Sequence, residues 1–230
     1  MKSITSKTKT GKTCPPPYIP NSAKLKVNEL QSAYDEMAVQ YEQKTWFDQH
    51  ILGVARQRNR LMSKAQGKIL DVACGTGMNF PMFPMNSEIT AIDLSPRMLE
   101  IAKQKAQALH LNLQGLVMDA QKLEFPDENF DSVTSTLSTC TFPDPIQALQ
   151  EMKRVCRKDG LIFLLEHGHS SMPWLADYQD RHVLKHYQQN AACRWNQDPL
   201  DLVSAAGLKV LNSKRFGLGM FYSIEATPNS

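Results

Sequence analysis

Lys68-Ile-Leu-Asp-Val-Ala-Cys-Gly-Thr-Gly-Met-Asn-Phe80 carries the strongest fold signal in the sequence. Lys68–Ala73 is an apolar run of the length of a buried strand, and a glycine-containing turn and a helix start follow it. Gly75 and Gly77 permit a tight turn and let a ligand approach the backbone closely. Free N–H groups at a helix start favour an anionic group. Asp71, at the strand end, is placed to accept a hydrogen bond from a ligand ammonium. A ligand carrying both a carboxylate and an ammonium fits this pair. A dinucleotide site expects G-x-G-x-x-G, but Phe80 stands at the third glycine position, so that alternative fits less well.

On either side of this segment, apolar runs alternate with amphipathic stretches. Glu88–Asp93, Leu111–Val117, Phe130–Thr136 and Leu161–Glu166 read as further strands. Ser95–Leu109 reads as a helix, with Ser95 as cap, Pro96 in the first turn and Met98, Ile101, Ala102 and Leu109 on one face. Asp144–Cys156 reads as another helix, ended by Asp159-Gly160. Repeated strand–helix units predict a doubly wound, mostly parallel sheet covered on both faces. Near the C-terminus, Asp198 and Pro199 open a helix that Gly207 stops. Leu208–Ser213 and Gly219–Ala226 then form two strands joined near Gly217. Towards the N-terminus, Glu29–Glu42 and Trp46–Met62 read as two aromatic-bearing helices. Residues 1–28 carry six lysines, no acid and three consecutive prolines, the composition of a solvated basic tail. The expected organisation is that tail followed by one domain over 29–230.

Two more acids end successive strands. Asp93 closes the second, where a carboxylate can accept from both hydroxyls of a ribose; Ser95 already supplies the helix cap. Asp119-Ala120 follows the third, where an Asp can meet an adenine amino group or simply close a turn. With the glycine turn, these positions make the chain resemble the class I S-adenosylmethionine (SAM) dependent methyltransferases, over roughly Tyr34 to Ala226. The resemblance implies a Rossmann-like seven-stranded sheet of order 3-2-1-4-5-7-6 with an antiparallel final strand. It implies SAM as cofactor and S-adenosylhomocysteine as product. Asp71, Gly75 and Gly77 would hold the methionyl end, Asp93 the ribose, and Asp119 with Ala120 the adenine, with Thr76, Leu94 and Met98 also among the cofactor-binding residues. Thr136 would border the methyl group, and Tyr34 would reach the cofactor from a first helix that closes over it. Ala73 departs from the family, where many members have another glycine.

On the acceptor side, Asn79-Phe80, Thr136–Phe142, Glu151–Arg157, Phe163–Gly168 and Cys193–Asp198 resemble a narrower branch. It contains phosphatidylethanolamine N-methyltransferases and small-molecule thiol methyltransferases, with quinone C-methyltransferases more distant. That resemblance implies an amine or sulfur nucleophile on a small or lipid-like acceptor, the alternatives being carbon methylation of a quinone-type ring or a protein that binds SAM without turnover. Glu166 and His167, at the mouth of the fifth strand, are the catalytic candidates, Glu166 to orient or neutralise a cation and His167 to remove a proton. Both can equally be structural, bonded to the neighbouring loop. Aromatic residues around Trp46 and Trp174 would shield the reaction from water.

No metal is expected. A set of His167, His169, His182 and His186 can be assembled, but an i, i+4 histidine pair is more often a solvated helix face. The five cysteines show no zinc spacing, and Cys140 reads as a small buried hydrophobe. Dispersed cysteines point to reduced thiols, hence cytoplasm or an organelle matrix. A net charge of +3 is too small to make nucleic acid the main partner. No apolar run approaches the roughly 20 residues that span a bilayer, which leaves peripheral membrane contact through the basic tail.

Overall fold

The computed structural model describes Ile19 and residues 25–229. Among the described residues, seven strands, β1 (Lys68–Val72), β2 (Glu88–Asp93), β3 (Leu113–Val117), β4 (Phe130–Thr136), β5 (Cys156–His167), β6 (Lys209–Phe216) and β7 (Phe221–Thr227), form one sheet of order β3-β2-β1-β4-β5-β7-β6. β1 to β5 run parallel, and β7 enters antiparallel between β5 and β6. This is the expected Rossmann-like architecture.

Strand periodicity sorts the core into two layers. Leu70, Val72, Ile162 and Leu164 face one side with Ala148, Leu149 and Met152 of α6 (Pro145–Val155) and Val203 of α8 (Pro199–Ala205). Ile69, Phe163 and Leu165 face the other, with Leu61 and Met62 of α4 (Val54–Met62) and Leu99, Ala102 and Ala106 of α5 (Pro96–Ala108). Alternate residues of β1 and β5 therefore feed opposite layers, as a sheet covered on both faces requires. Each fully buried large aliphatic side chain contributes about 1.5–3 kcal/mol. Ser95 caps α5 by accepting from the Met98 N–H at 3.0 Å, with Pro96 at the first turn.

Three expectations need correction. The N-terminal helices are broken into α1 (Val27–Met37), a 3-10 turn, α2 (Tyr41–Lys44), α3 (Trp46–His50) and α4; left-handed Gly53, φ 80°, separates the last two. Asp159-Gly160 does not stop α6, which ends at Val155; both residues lie inside β5. The tail reading falls outside the described residues for 1–18 and 20–24. Ile19, however, is buried against Leu30, Tyr187 and Ala192, so this position is not solvated, and Val27 and Asn28 already belong to α1.

Candidate active site

The β1 turn is built for close approach. Ala73 (φ 53°), Gly75 (56°) and Gly77 (76°) are all left-handed. Ala73 bears the steric cost of that conformation, about 1–2 kcal/mol for an L-residue, which explains physically why a glycine suits its place. A Cβ at Gly77 would meet the Phe80 ring at 2.6 Å. Phe80 is fully buried and fills the space that a dinucleotide-binding loop keeps small.

Asp71 is completely buried. Its Oδ1 accepts from Asn79 Nδ2 at 2.8 Å and Thr134 Oγ1 at 2.7 Å, whereas Oδ2 is buried and has no partner among the described residues. Burial pushes its pKa up to about 6 against those two hydrogen bonds and nearby Arg58. Arg58, also buried, donates from Nη1 to Asn79 Oδ1 at 2.6 Å and Thr136 Oγ1 at 2.7 Å; its Nε has no partner among the described residues. One anionic and one cationic group with spare hydrogen-bonding capacity thus share a polar network beside the glycine turn. A zwitterionic amino-acid moiety such as the methionyl end of SAM fits that chemistry.

Asp93 bridges the turn to α5. Its Oδ2 accepts from the Gly75 N–H at 2.8 Å and Oδ1 from the Ser95 N–H at 2.9 Å. A carboxylate has about four lone-pair positions, so two remain for vicinal hydroxyls. Burial lifts this carboxyl to about 6 as well, against the hydrogen bonds from Ser95 and Gly75. Leu94 is half-buried against the cluster that holds Tyr34, and Met98 is buried at the start of α5. Asp119 Oδ1 accepts from the Gln121 N–H, so it does close a turn; Ala120 is in the core.

The N-terminal helices lie over this turn. Thr76 is buried and its hydroxyl donates to Glu42 at 2.8 Å. Asp35 accepts from the Ser95 hydroxyl and from the Arg97 N–H. Tyr41 comes closest to Gly75, with its ring 3.9 Å from where a Cβ would stand. Beyond them opens a cavity of about 760 Å³ whose lining includes Tyr34, Tyr41, Asp48, Cys140, His167 and Trp195. Burial raises the Tyr34 phenol well above its ordinary value and Tyr41 to about 12, so both stay neutral.

The two catalytic candidates separate. Glu166 is fully buried and accepts from the backbone N–H groups of Ser138 (3.0 Å) and Thr139 (3.2 Å). It does not belong to the cavity lining, so it holds the β4–α6 loop instead of facing an acceptor. His167 does line the cavity. Burial opposes charge on its ring, but Cys140, Glu166 and Asp48 outweigh burial and place it above the ordinary imidazole value, which works against a general-base role. Trp46 and Trp174 are more than half exposed and shield nothing; Trp195 lines the cavity in their place. The four histidines do not gather, since His169 meets Asp180 and His182 stacks on Tyr178. Instead Cys140, His167 and Cys193 converge.

Sequence reading missed Arg58, Thr134 and the Cys193 contact. Arg58 sits in a polar helix with nothing local to mark it as buried, and the polar Ser/Thr pattern in β4 was the available signal for Thr134.

Residues 70–164 match the family model described as a methyltransferase domain. The chain is 28% identical over 225 residues to the yeast protein Methyltransferase OMS1, mitochondrial, covering 90% of this chain and 48% of that one. It is 37% identical over 103 residues to phosphatidylethanolamine N-methyltransferase of Cereibacter sphaeroides, covering 44% and 51%. It is 34% identical over 132 residues to demethylmenaquinone methyltransferase of Staphylococcus aureus, covering 55% and 54%. The chain thus spans about half the length of these curated relatives. A Thermotoga maritima structure, described as a SAM-dependent methyltransferase and possible histamine N-methyltransferase, superposes with a TM-score of 0.64 at 22% identity, covering 87% of this chain and all of that one; at that identity the likeness speaks to the fold. Sheet order, glycine turn and family match together identify a class I S-adenosylmethionine-dependent methyltransferase domain in this chain, with S-adenosylmethionine as its cofactor.

Proposed function

We propose that this chain transfers a methyl group from SAM to an amine or sulfur nucleophile on a small or lipid-like acceptor. The observation that carries this reading is the cavity of about 760 Å³, lined by tyrosines, Trp195, Cys140 and His167, next to a glycine turn roofed by α1 and α2. SAM supplies an electrophilic methyl group when bound. Asp71 and Arg58 are the groups to hold its charged end, Asp93 its ribose, and Thr136, tied to Arg58, borders the transfer position. Asp119 and Ala120 stand at the end of β3 for the adenine. Holding a nucleophile in line can contribute about 7–11 kcal/mol, so an acceptor that arrives deprotonated needs no dedicated base. Glu166 serves by fixing Ser138 and Thr139 on the loop that carries Cys140.

The match to demethylmenaquinone methyltransferase favours a second reading, carbon methylation of a quinone-like ring. No helix among the described residues is long and apolar enough to cross a membrane, so a lipid acceptor would be met at a surface. The dispersed cysteines and the relative named mitochondrial support a reducing compartment, cytosol or organelle matrix, for this chain.

The test is a transfer screen with methyl-labelled SAM against amines, thiols, phospholipid vesicles and quinols. Label should appear in an amine, thiol or phospholipid product. Label found on the ring carbon of a quinol would install the second reading, and bound SAM with no transfer to any class would refute turnover.

A further inference from the structure

Methyl transfer as described leaves one cluster on the cavity wall unexplained. Cys140 lies in the loop after β4, His167 ends β5, and Cys193 follows α7 (Pro173–Gln189). Their sulfur and ring-nitrogen atoms all lie within 4.8 Å of one another, with Cys193 Sγ 3.3 Å from His167 Nε2. All three line the cavity, and both cysteines are buried.

The surroundings hold this geometry. The Arg194 N–H donates to the Cys140 carbonyl at 3.0 Å, and Arg194 Nε donates to the same oxygen at 3.1 Å. The two cysteine-bearing segments are therefore pinned together at the backbone. Glu166 fixes the loop on the other side of Cys140 through Ser138 and Thr139. His186 stacks on Trp195 at 3.9 Å between ring centroids, with its Nε2 3.3 Å from Cys193 Sγ. With Asn190 Nδ2 donating to its Nδ1, His186 presents an Nε2–H to the sulfur. Such an outer donor orients a thiolate ligand.

Zinc–sulfur and zinc–nitrogen bonds of about 2.3 and 2.0–2.1 Å at tetrahedral angles separate ligand atoms by about 3.6–3.8 Å. The Cys193–His167 separation of 3.3 Å lies just inside that spacing, and all three ligand atoms lie within 4.8 Å of one another. Thiolate and imidazole donors select zinc-like cations over magnesium or calcium. Three protein ligands beside a cavity leave a fourth position open, as catalytic zinc sites do.

We propose that Cys140, Cys193 and His167 form a binding site for a thiophilic divalent cation, zinc by class, whose open position faces the cavity and receives a thiol acceptor. A thiol bound there releases its proton to solvent. Its sulfur lone pair then forms the new bond to the methyl carbon as the carbon–sulfonium bond breaks, giving a neutral methyl thioether and neutral S-adenosylhomocysteine. This acceptor assignment rests on the methyl-transfer reading; the metal site does not.

The experiment strips the full chain with a chelator and measures zinc by equilibrium dialysis, with cobalt as a spectroscopic substitute. Wild type should take up one equivalent and show thiolate-to-cobalt charge transfer. Cys140→Ala and Cys193→Ala should each lose at least about tenfold in zinc affinity, and Cys156→Ala should lose none. If the variants do not fold, the wild-type cobalt spectrum decides: thiolate charge transfer supports the site and its absence overturns it. Zinc affinity unchanged in both folded variants would also overturn it. Separate SAM titration keeps the methyltransferase reading distinguishable. A zinc-loaded enzyme that methylates amines but no thiol would overturn the acceptor assignment alone.

Discussion

Asp71→Asn should weaken SAM binding by about 1.5–3 kcal/mol, the scale of a hydrogen bond to a charged group, or roughly 10- to 150-fold in Kd. The substitution keeps an oxygen for Asn79 and Thr134 but removes the negative charge and replaces the unpartnered Oδ2 with a donor. Folding should survive, because that oxygen has no partner to lose. The pH dependence follows from the same group. Its folded pKa, raised to about 6, means that stability is fullest below the ordinary carboxylate range, near pH 4, and is lost as pH rises through 6. Binding of a cation requires the charged form, so wild-type affinity should fall up to about tenfold per pH unit below 6. Asp93, also near 6, adds to the stability slope. Calorimetry at pH 5 and pH 7.5 checks this. Equal Kd values for wild type and Asp71→Asn, or a wild-type affinity independent of pH, would remove Asp71 from the cofactor site.

Glu166→Ala should instead strike the fold. It strands the Ser138 and Thr139 N–H groups in the interior, at about 1–3 kcal/mol each. For a protein of this size, a total of about 2–6 kcal/mol lowers Tm by roughly 4–24 °C. Glu166→Gln retains an acceptor oxygen and should lose less. Thermal unfolding of both variants, beside turnover of their folded fractions, is the measurement. An unchanged Tm with lost turnover would show that Glu166 acts on the acceptor after all.

Why were some of these residues legible in sequence and others not? The sheet was, because β1 and β5 are covered on both faces and read as continuous apolar runs, while α5 carries its cap, proline and apolar stripe within one local stretch. Asp71, Asp93 and the glycines sit at strand ends that topology alone aligns. The break at Gly53 was harder, since α3 and α4 keep helical composition across it. The two roles of Glu166 stayed open in sequence because alternation along a strand gives the side of the sheet but not which loop caps the strand. Arg58 and the meeting of Cys140 with Cys193 depend on contacts between elements far apart in the chain, which no local spacing encodes.

The β1 turn and the strand-end acids should recognise SAM rather than a dinucleotide. Calorimetric titration of the full chain at pH 7.5 with SAM, S-adenosylhomocysteine and NAD tests it most directly. One SAM or S-adenosylhomocysteine should bind per chain, with no saturable heat from NAD. Saturable NAD binding together with no SAM binding would make this a dinucleotide site instead.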